Sequence, residues 1–310
     1  MKNLAPCDYP GIIKESPHNP TGSPRCLGPI RVLRRETVPG APLEELARER
    51  AFPNGEAFPL EEPTDGDLPI ELSLVVPAFN EEDNIAVLCD EIVQALSGRL
   101  RFEIVVVDDG STDATPEKLR KLAFRDERVT AVLLTQNSGQ TMATWVGLRA
   151  ARGRLICTLD ADLQNNPADI PKLLDALGDD DAVVGYRQTR QDNFVRRISS
   201  RIANSIRNRV SGDSIRDTGC SLKLFRADAI RAIPFFDGMH RFLPTLLRYH
   251  GYTVSEVPVS HRPRVAGVSK YGIRNRALRA AKDLLAVRWM RDRILNPVEC
   301  TVVRAEKRSR

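Results

Sequence analysis

Residues 102–113 read FEIVVVDDGSTD, and this stretch contains the pattern on which the fold prediction rests. A nearly continuous apolar run predicts a strand that is buried on both faces, and the acids and glycine that follow it predict a turn. Asp113 then supplies an N-cap for a helix over residues 113–125. A strand, a polar turn and a helix in succession are typical of the βα unit of a parallel sheet.

The same unit recurs along the chain, without an internal sequence repeat. We predict strands over residues 71–76, 102–107, 129–134, 154–159 and 181–185, alternating with helices over residues 81–96, 113–125, 139–151 and 167–177. Two further short strands are predicted over 221–225 and 253–257. The alternation predicts an α/β fold whose mostly parallel sheet is flanked by helices.

The first part of the chain differs in composition. Residues 1–67 contain eleven of the 21 prolines and little apolar periodicity, apart from a short helical pattern over 43–50. We therefore predict a mostly disordered segment over 1–67, one catalytic domain over 68–296, and a basic tail over 297–310.

Basic residues cluster in two later segments. Residues 194–216 contain six Arg against one acid, and residues 262–293 contain ten Lys or Arg against two acids. Apolar spacing predicts basic amphipathic helices over 194–210 and 273–295, which would suit an anionic lipid interface. In the first helix Arg196, Arg197, Arg201, Arg207 and Arg209 fall away from the apolar stripe. The alternative is an ordinary surface helix that packs its stripe on the core.

No apolar run approaches the roughly 18 residues of a spanning helix, and the six cysteines lie far apart. We expect reduced, packed thiols and a cytoplasmic protein. It would be peripheral at the inner face of the plasma membrane, or attached through a membrane-protein partner. No nucleic-acid partner is expected.

Polar residues stand where three predicted strands end. They are residues 77–81 (PAFNE), the pair Asp108 and Asp109, and the pair Asp160 and Asp162. Ligands of open α/β sheets bind at the carboxyl ends of the strands. The first motif also fits a plain helix start, and the second an ordinary βα loop. Because acids repel phosphate, a ribose or a base is the better ligand for the first motif.

The motif TLDADLQ, residues 158–164, points to a metal. Mg²⁺ and Mn²⁺ prefer hard oxygen ligands and are commonly held by one or two carboxylates together with substrate phosphates. Asp160, Asp162 and the amide oxygen of Gln164 fit that ligand set. A solvated turn is the alternative.

The chain contains neither G-x-G-x-x-G after the first strand nor the P-loop pattern. This disfavours dinucleotide oxidoreductases and P-loop enzymes, and leaves a metal and basic side chains to neutralise a diphosphate.

Taken together with GYRQTRQD (185–192), DTGCSLKLFR (217–226) and HRPRVAGVSKYG (261–272), these motifs resemble glycosyltransferase family 2. The similarity extends over residues 72–293 and is strongest to polyprenyl-phosphate sugar transferases of the dolichyl-phosphate mannose synthase type. It implies a GT-A, Rossmann-like fold. It also implies a nucleoside diphosphate sugar donor of the GDP-mannose or UDP-hexose class and a polyprenyl phosphate acceptor. Many relatives continue into membrane-spanning helices.

The resemblance also implies roles for individual residues. Pro77, Ala78, Phe79, Asn80, Glu81, Asp108 and Asp109 would bind the nucleotide, and Asp160, Asp162 and Gln164 would hold Mg²⁺ or Mn²⁺. Arg187 and an arginine of the Arg196–Arg197 pair, taken as Arg197, would meet the acceptor phosphate. Lys270 would lie on the donor side, and Asp217 would be an active-site acid whose role stays open.

These implications predict metal-dependent transfer with inversion. Two alternatives remain at this stage. One is a family 2 enzyme that glycosylates a sugar or polysaccharide hydroxyl, which would need a general base. The other is a non-catalytic module that binds nucleotide sugars or a lipid surface.

Overall fold

The structure is a computed structural model that describes residues 30–33, 50–52, 69–187, 207–263 and 273–294. Its strands are β1 Ile30–Leu33, β2 Arg50–Phe52, β3 Leu72–Ala78, β4 Phe102–Asp108, β5 Val129–Leu133, β6 Leu155–Thr158, β7 Ala182–Arg187, β8 Lys223–Arg226 and β9 Val254–Val259. Its helices are α1 Ile85–Leu96, α2 Thr115–Arg125, α3 Gln140–Ala150, α4 Ile170–Leu177, α5 Ala227–Arg231, α6 Leu243–Tyr249 and α7 Ile273–Arg291. Residues 207–211 are also helical.

All nine described strands join one sheet in the order β2-β1-β5-β4-β3-β6-β8-β7-β9. Strands β5, β4, β3 and β6 pair in parallel, whereas β8 is antiparallel to both of its neighbours. Followed from pair to pair, seven of these nine strands run in one direction, and β1 and β8 oppose them. The predicted α/β fold with a mostly parallel sheet is confirmed.

Helices cover both faces of the sheet, which explains the unbroken apolar runs. In β3, Leu74 and Val76 pack in a core with α1 and α4, whereas Val75 belongs to a core on the other face. Helix α3 lies close to that second face because Gly147 has no side chain. A Cβ at this position would stand 2.4 Å from Cγ1 of Val75. The period-2 alternation of side chains therefore distributes one apolar strand between two cores.

The N-terminal segment contributes two strands to the sheet. Residues of β1 pair antiparallel with β5, and β2 pairs with β1. The prediction of disorder over 1–67 is wrong for these seven residues. Without β1, strand β5 would present a row of unpaired N–H and C=O groups, and pairing satisfies them. Arg50 lies in a strand rather than at the end of the predicted 43–50 helix, and the rest of that helix lies outside the described residues.

The basic helices also differ in part from prediction. Arg207 is buried, and its guanidinium donates to the Ile215 carbonyl and to the Thr218 hydroxyl, so it does not face a lipid surface. The remainder of the predicted 194–210 helix falls outside the described residues. Periodicity alone cannot distinguish a buried arginine that is bonded to a carbonyl from a solvated one.

Helix α7 divides its predicted apolar stripe between core and solvent. Val287 is fully buried, with Leu284 and Met290 packed beside it, but Leu285 is 66% exposed and Trp289 62% exposed. Among the described helices, none combines the length and apolarity required to cross a bilayer. Cys89, Cys157 and Cys220 are buried free thiols.

We expect deletion of residues 1–67 to destabilise the domain, because it removes β1 and β2 and turns β5 into an edge strand. Three residues of β1 are in register with β5. At roughly 1 kcal/mol net for each ladder hydrogen bond, the loss amounts to about 2–3 kcal/mol. Urea unfolding of the truncated chain measures it. Deletion of residues 1–29 is the matched control, since it keeps both strands. Equal midpoints for the two truncations would contradict the pairing.

Candidate active site

The first motif begins in the last two residues of β3, where that strand extends beyond its neighbour β6. The carbonyl of Val75 accepts a hydrogen bond from Leu159, and the pairing of β3 with β6 ends at Val75 and Thr158. Backbone N–H and C=O groups alternate in direction along a strand, so the backbone of Pro77, like that of Val75, faces the β6 side. At Pro77 this side lies beyond the end of the β3–β6 pairing. A residue without an N–H is tolerated there. Strand β3 can therefore carry its motif past the end of β6.

Asn80 joins the first motif to the second. Its backbone adopts a left-handed conformation with φ of 53°, which is uncommon for a residue other than glycine. The Asn80 N–H donates to the Ser111 hydroxyl at 2.8 Å, and its side-chain oxygen accepts from the Thr112 N–H at 2.8 Å. Glu81 accepts a hydrogen bond from the Asn84 amide at 2.7 Å. The predicted nucleotide-binding residues thus lie on a loop that is fixed to its neighbour.

The two acids of the second motif have different surroundings. Asp109 is buried, and its carboxylate accepts hydrogen bonds from the backbone N–H groups of Ser138 at 2.7 Å and Gly139 at 2.8 Å, and from the Asn137 amide at 3.0 Å. Burial raises the pKa of Asp109. Through these three hydrogen bonds the Asp109 side chain anchors the loop that precedes α3, a role that the sequence did not reveal.

Asp108 is buried too, and burial raises the pKa of its carboxyl group. One oxygen accepts a hydrogen bond from the Ser111 N–H at 3.3 Å. The other oxygen, Oδ1, is buried without a hydrogen-bond partner among the described residues. An unsatisfied buried acceptor at the carboxyl edge of the sheet suits a ligand that donates a hydrogen bond.

The third motif directly follows β6 in a tight loop. Asp162 is 7% exposed, and its carboxylate accepts from the Gln164 N–H at 3.2 Å. Leu163, between them, has φ of 59°, a costly conformation for a leucine. Burial, and then the charge of Asp162, raise the pKa of Asp160 to about 6. The strained loop therefore holds two acids close enough to repel each other.

Gln140 and Ser221 support this motif, and sequence reasoning missed both. The Gln140 amide, at the first residue of α3, donates to Asp160 Oδ1 at 2.8 Å. The Ser221 hydroxyl accepts from the Asp160 N–H at 3.1 Å and from the Asn165 amide at 2.6 Å. Through Asp109 and Gln140, the loop before α3 thus connects the second acidic motif to the third.

Lys223 is a third residue that the sequence analysis missed. It is 4% exposed on β8, opposite Thr158 of β6, and its ammonium group donates to the His240 carbonyl at 3.4 Å. Burial lowers the pKa of Lys223, and the charges of Asp160 and Asp217 oppose that shift. A lysine between Leu222 and the apolar pair Leu224–Phe225 was the available signal. The Lys223 ammonium group places a positive charge close enough to Asp160 to lower its pKa.

Arg187 and Asp217 form a two-point ion pair. Arg187, at the end of β7, donates from Nε to Asp217 Oδ2 at 2.6 Å and from Nη2 to Oδ1 at 2.9 Å. A Cβ on Gly219 would stand 3.0 Å from that Nη2, so a side chain at this position would crowd the pair. The positive charge of Arg187 also acts on Asp160 and lowers its pKa, against the effect of burial. The structure thus brings the predicted acceptor-side arginine near the predicted metal ligands.

The residues present are suited to a divalent cation. Asp160, Asp162 and Gln164 offer hard oxygen ligands on one loop, and the raised pKa of Asp160 reflects burial and a repulsion that a bound cation would relieve. No cluster of three or more His, Cys, Asp or Glu ligands occurs in the part of the chain that the structure describes. Substrate oxygens would therefore have to complete the coordination. Arg197 and Lys270 lie outside the described residues.

Comparison with known proteins identifies the family. Residues 73–233, more than half of the chain, match Glycosyl transferase family 2. The chain belongs to this family. It is 43% identical over 225 residues to dodecaprenyl-phosphate galacturonate synthase of Rhizobium johnstonii, covering 70% of this chain and 66% of that protein. It is 41% identical over 205 residues to undecaprenyl-phosphate 4-deoxy-4-formamido-L-arabinose transferase of Edwardsiella ictaluri, covering 65% and 63%. The family 2 chain thus spans just under two thirds of these relatives.

Solved structures support the GT-A fold of this family 2 protein. Glucosyl-3-phosphoglycerate synthase from Mycobacterium tuberculosis, in complex with Mg²⁺ and UDP, matches with a TM-score of 0.55 at 19% identity. The match covers 73% of this chain and 81% of that one. A mannosyltransferase from Pyrobaculum calidifontis, in complex with GDP-Man and Mn²⁺, matches with a TM-score of 0.55 at 24% identity, covering 76% and 69%. The predicted family and fold are confirmed.

Replacing Asp109 by Asn should destabilise the family 2 domain. The substitution removes a charged acceptor of two backbone N–H groups and leaves at least one of them facing an amide donor. Hydrogen bonds to charged groups contribute about 1.5–3 kcal/mol each, so we expect a loss of roughly that size in urea unfolding. The exposed Glu117→Gln substitution on α2 is the control. A midpoint equal to that of the control would contradict the anchoring role.

Proposed function

We propose that this family 2 protein transfers a sugar from a nucleoside diphosphate sugar to a polyprenyl phosphate, with Mg²⁺ or Mn²⁺ as cofactor. One observation carries the proposal: the acids Asp160 and Asp162 stand at the end of β6, within electrostatic reach of the Arg187–Asp217 pair. A cation held by the two acids would bind the anionic donor, and Arg187 would bind the anionic acceptor. Relatives named as polyprenyl-phosphate sugar transferases support the acceptor class.

On the donor side, the motifs after β3 and β4 would receive the nucleoside. The unsatisfied oxygen of Asp108 is suited to a ribose hydroxyl or a base N–H. Asp160, Asp162 and Gln164 would hold the cation, which when bound supplies positive charge to the departing diphosphate. Gln140 and Ser221 fix Asp160 before the donor arrives, so little reorganisation is required during the reaction.

On the acceptor side, Arg187 would orient the phosphate of the lipid. A guanidinium presents paired N–H donors that match a phosphate, and Asp217 holds this one in place. A phosphate oxygen is already ionised at neutral pH, so its attack requires no strong base. A single direct displacement at the anomeric carbon would invert its configuration.

The structure gives less support to a hydroxyl acceptor. Such an acceptor must lose a proton to a base, and Asp217 is the acid beside Arg187. Both of its carboxylate oxygens accept hydrogen bonds from that arginine, which suits holding a cation better than removing a proton. A non-catalytic binding module would not require two mutually repelling carboxylates on one strained loop.

We further propose that the protein works at the inner face of the plasma membrane, as a peripheral protein or beside a membrane-protein partner. Helix α7 exposes Leu285 and Trp289, and the Arg293 guanidinium lies 5.8 Å from the Trp289 ring centre. An exposed aromatic ring next to a cation is suited to a lipid interface.

A donor screen tests the proposed function. The chain would be incubated with nucleoside diphosphate sugars of the GDP-mannose and UDP-hexose classes, a polyprenyl phosphate, and Mg²⁺ or Mn²⁺, while lipid-linked sugar is measured. We expect one donor to react and Asp162→Asn to lower its rate by at least about a hundredfold, because the ligand charge is lost. Asp179→Asn, an exposed acid remote from the motif, is the control. Turnover that is equal in both variants, or that needs no metal, would refute the cation site.

Membrane association gives a separate prediction. Replacing Leu285 and Trp289 together by Ser should reduce co-sedimentation with anionic vesicles several-fold, while glycosylation of a soluble short-chain acceptor continues. Binding of the unaltered chain should also weaken at high salt. Val87→Ser, which removes another exposed apolar side chain on α1, is the control. Unchanged binding by the double variant, or binding that ignores lipid charge and salt, would argue against an interfacial α7.

A further inference from the structure

A cavity of about 860 Å³ lies at the opposite edge of the sheet from the acidic motifs. It is bounded by the residues that precede β3, β4 and β6 and by the start of α5. Five arginines line it: Arg101, Arg152, Arg154, Arg226 and Arg231. Glu71 and Asp228 are the acids in the lining. The cavity therefore has an excess of positive charge and is separate from the proposed active site.

The arginines differ in how far the protein neutralises them. Arg152 is paired at 2.9 Å with the buried Glu103, so its charge is already balanced. Arg154 lies 3.4 Å from Glu71, but both side chains are substantially exposed, and such pairs contribute little. The Arg226 guanidinium donates to the carbonyls of Asp180 at 3.0 Å and Gly178 at 2.9 Å. The five arginines thus outnumber the acids Glu71, Glu103 and Asp228, and the cavity keeps a net positive charge.

Two guanidinium nitrogen atoms in this lining are buried without a hydrogen-bond partner. They are Nη1 of Arg101 and Nε of Arg231, and neither has a partner within the described part of the chain. The other described bond of the Arg231 guanidinium runs from Nη2 to the Ala151 carbonyl at 2.5 Å. Leaving a charged donor buried and unsatisfied costs more than leaving a neutral one, so each atom calls for an acceptor.

We propose that this cavity binds an organic phosphate, with Arg101 and Arg231 as its principal ligands. A phosphate presents several acceptor oxygens, which match guanidinium forks better than a single carbonyl does. Pro69, Ile70 and Leu155 provide apolar walls for the rest of such a molecule. The volume is typical of a small-molecule site. The phosphate belongs either to a free metabolite or to a lipid headgroup.

Inorganic pyrophosphate is the first probe, titrated calorimetrically into the full chain without divalent metal. Arg101→Met combined with Arg231→Met should weaken binding at least tenfold, whereas Lys121→Met with Arg125→Met, which removes the same charge from the exposed face of α2, should not. Arg187→Met should bind pyrophosphate normally, and this separates the cavity from the proposed active site, where Arg187 is the described residue proposed to bind phosphate. Equal binding by the two double variants, or no saturable binding by the natural chain, would overturn the proposal.

Vesicles separate the two sources of phosphate. If the ligand is a lipid headgroup, vesicles with phosphatidic acid should bind the natural chain more tightly than the Arg101 and Arg231 double variant, and phosphatidylcholine vesicles should not distinguish them. If the ligand is a free metabolite, the loss should appear with pyrophosphate alone. Thermal unfolding checks the fold: without ligand, the double variant should melt at or above the temperature of the natural chain. Should it melt lower, Arg101→Met alone serves as the variant, and pyrophosphate binding that this substitution leaves unchanged would again overturn the proposal.

Discussion

The repulsion between Asp160 and Asp162 is the constraint on which the rest of the site depends. Two carboxylates held on one tight loop, with limited access to water, are unfavourable unless fixed dipoles or positive charges compensate them. The protein supplies both: an amide from α3, the Ser221 hydroxyl, whose hydrogen bond to the Asp160 carboxyl group opposes the rise in its pKa, and the buried ammonium group of Lys223. Because these groups come from elements far apart in the chain, stabilising the acids also fixes the loops around them.

On the acceptor side the same principle applies with opposite charges, since a cation there is balanced by an acid. Arg187 is a cation in a half-enclosed position, and Asp217 balances it through two hydrogen bonds. Each charged group that would face a substrate therefore already has a partner of opposite sign or a fixed dipole. Such preorganisation lowers the reorganisation required when a charged ligand arrives, since the side chains are already oriented.

The sequence was sufficient for the features that depend on local pattern. Apolar runs located β3 to β7 because strands that are largely buried leave a nearly continuous signature, and the acidic motifs were found because they stand where those runs end. Shorter and more polar patterns located β8 and β9. Pairing between strands that are far apart in the chain could not be predicted from the sequence. Strands β1 and β2 are short and lie in a proline-rich segment, and their stability comes from β5, about a hundred residues away. Ser221 and Lys223 gain their roles only because β8 returns antiparallel beside β6.

Helix dipoles account for part of the contrast between the two edges of the sheet. Helices α1 and α3 begin at the carboxyl edge, where their partially positive ends favour the acids of the motifs. They end at the amino edge, where partially negative ends favour cations such as Arg99 and Arg152. A basic amino edge is thus expected of this architecture and does not by itself indicate a ligand. The dipole explanation, however, does not require a guanidinium nitrogen to be buried without an acceptor. Arg101 and Arg231 have this feature, and it distinguishes a binding site from charge complementarity alone.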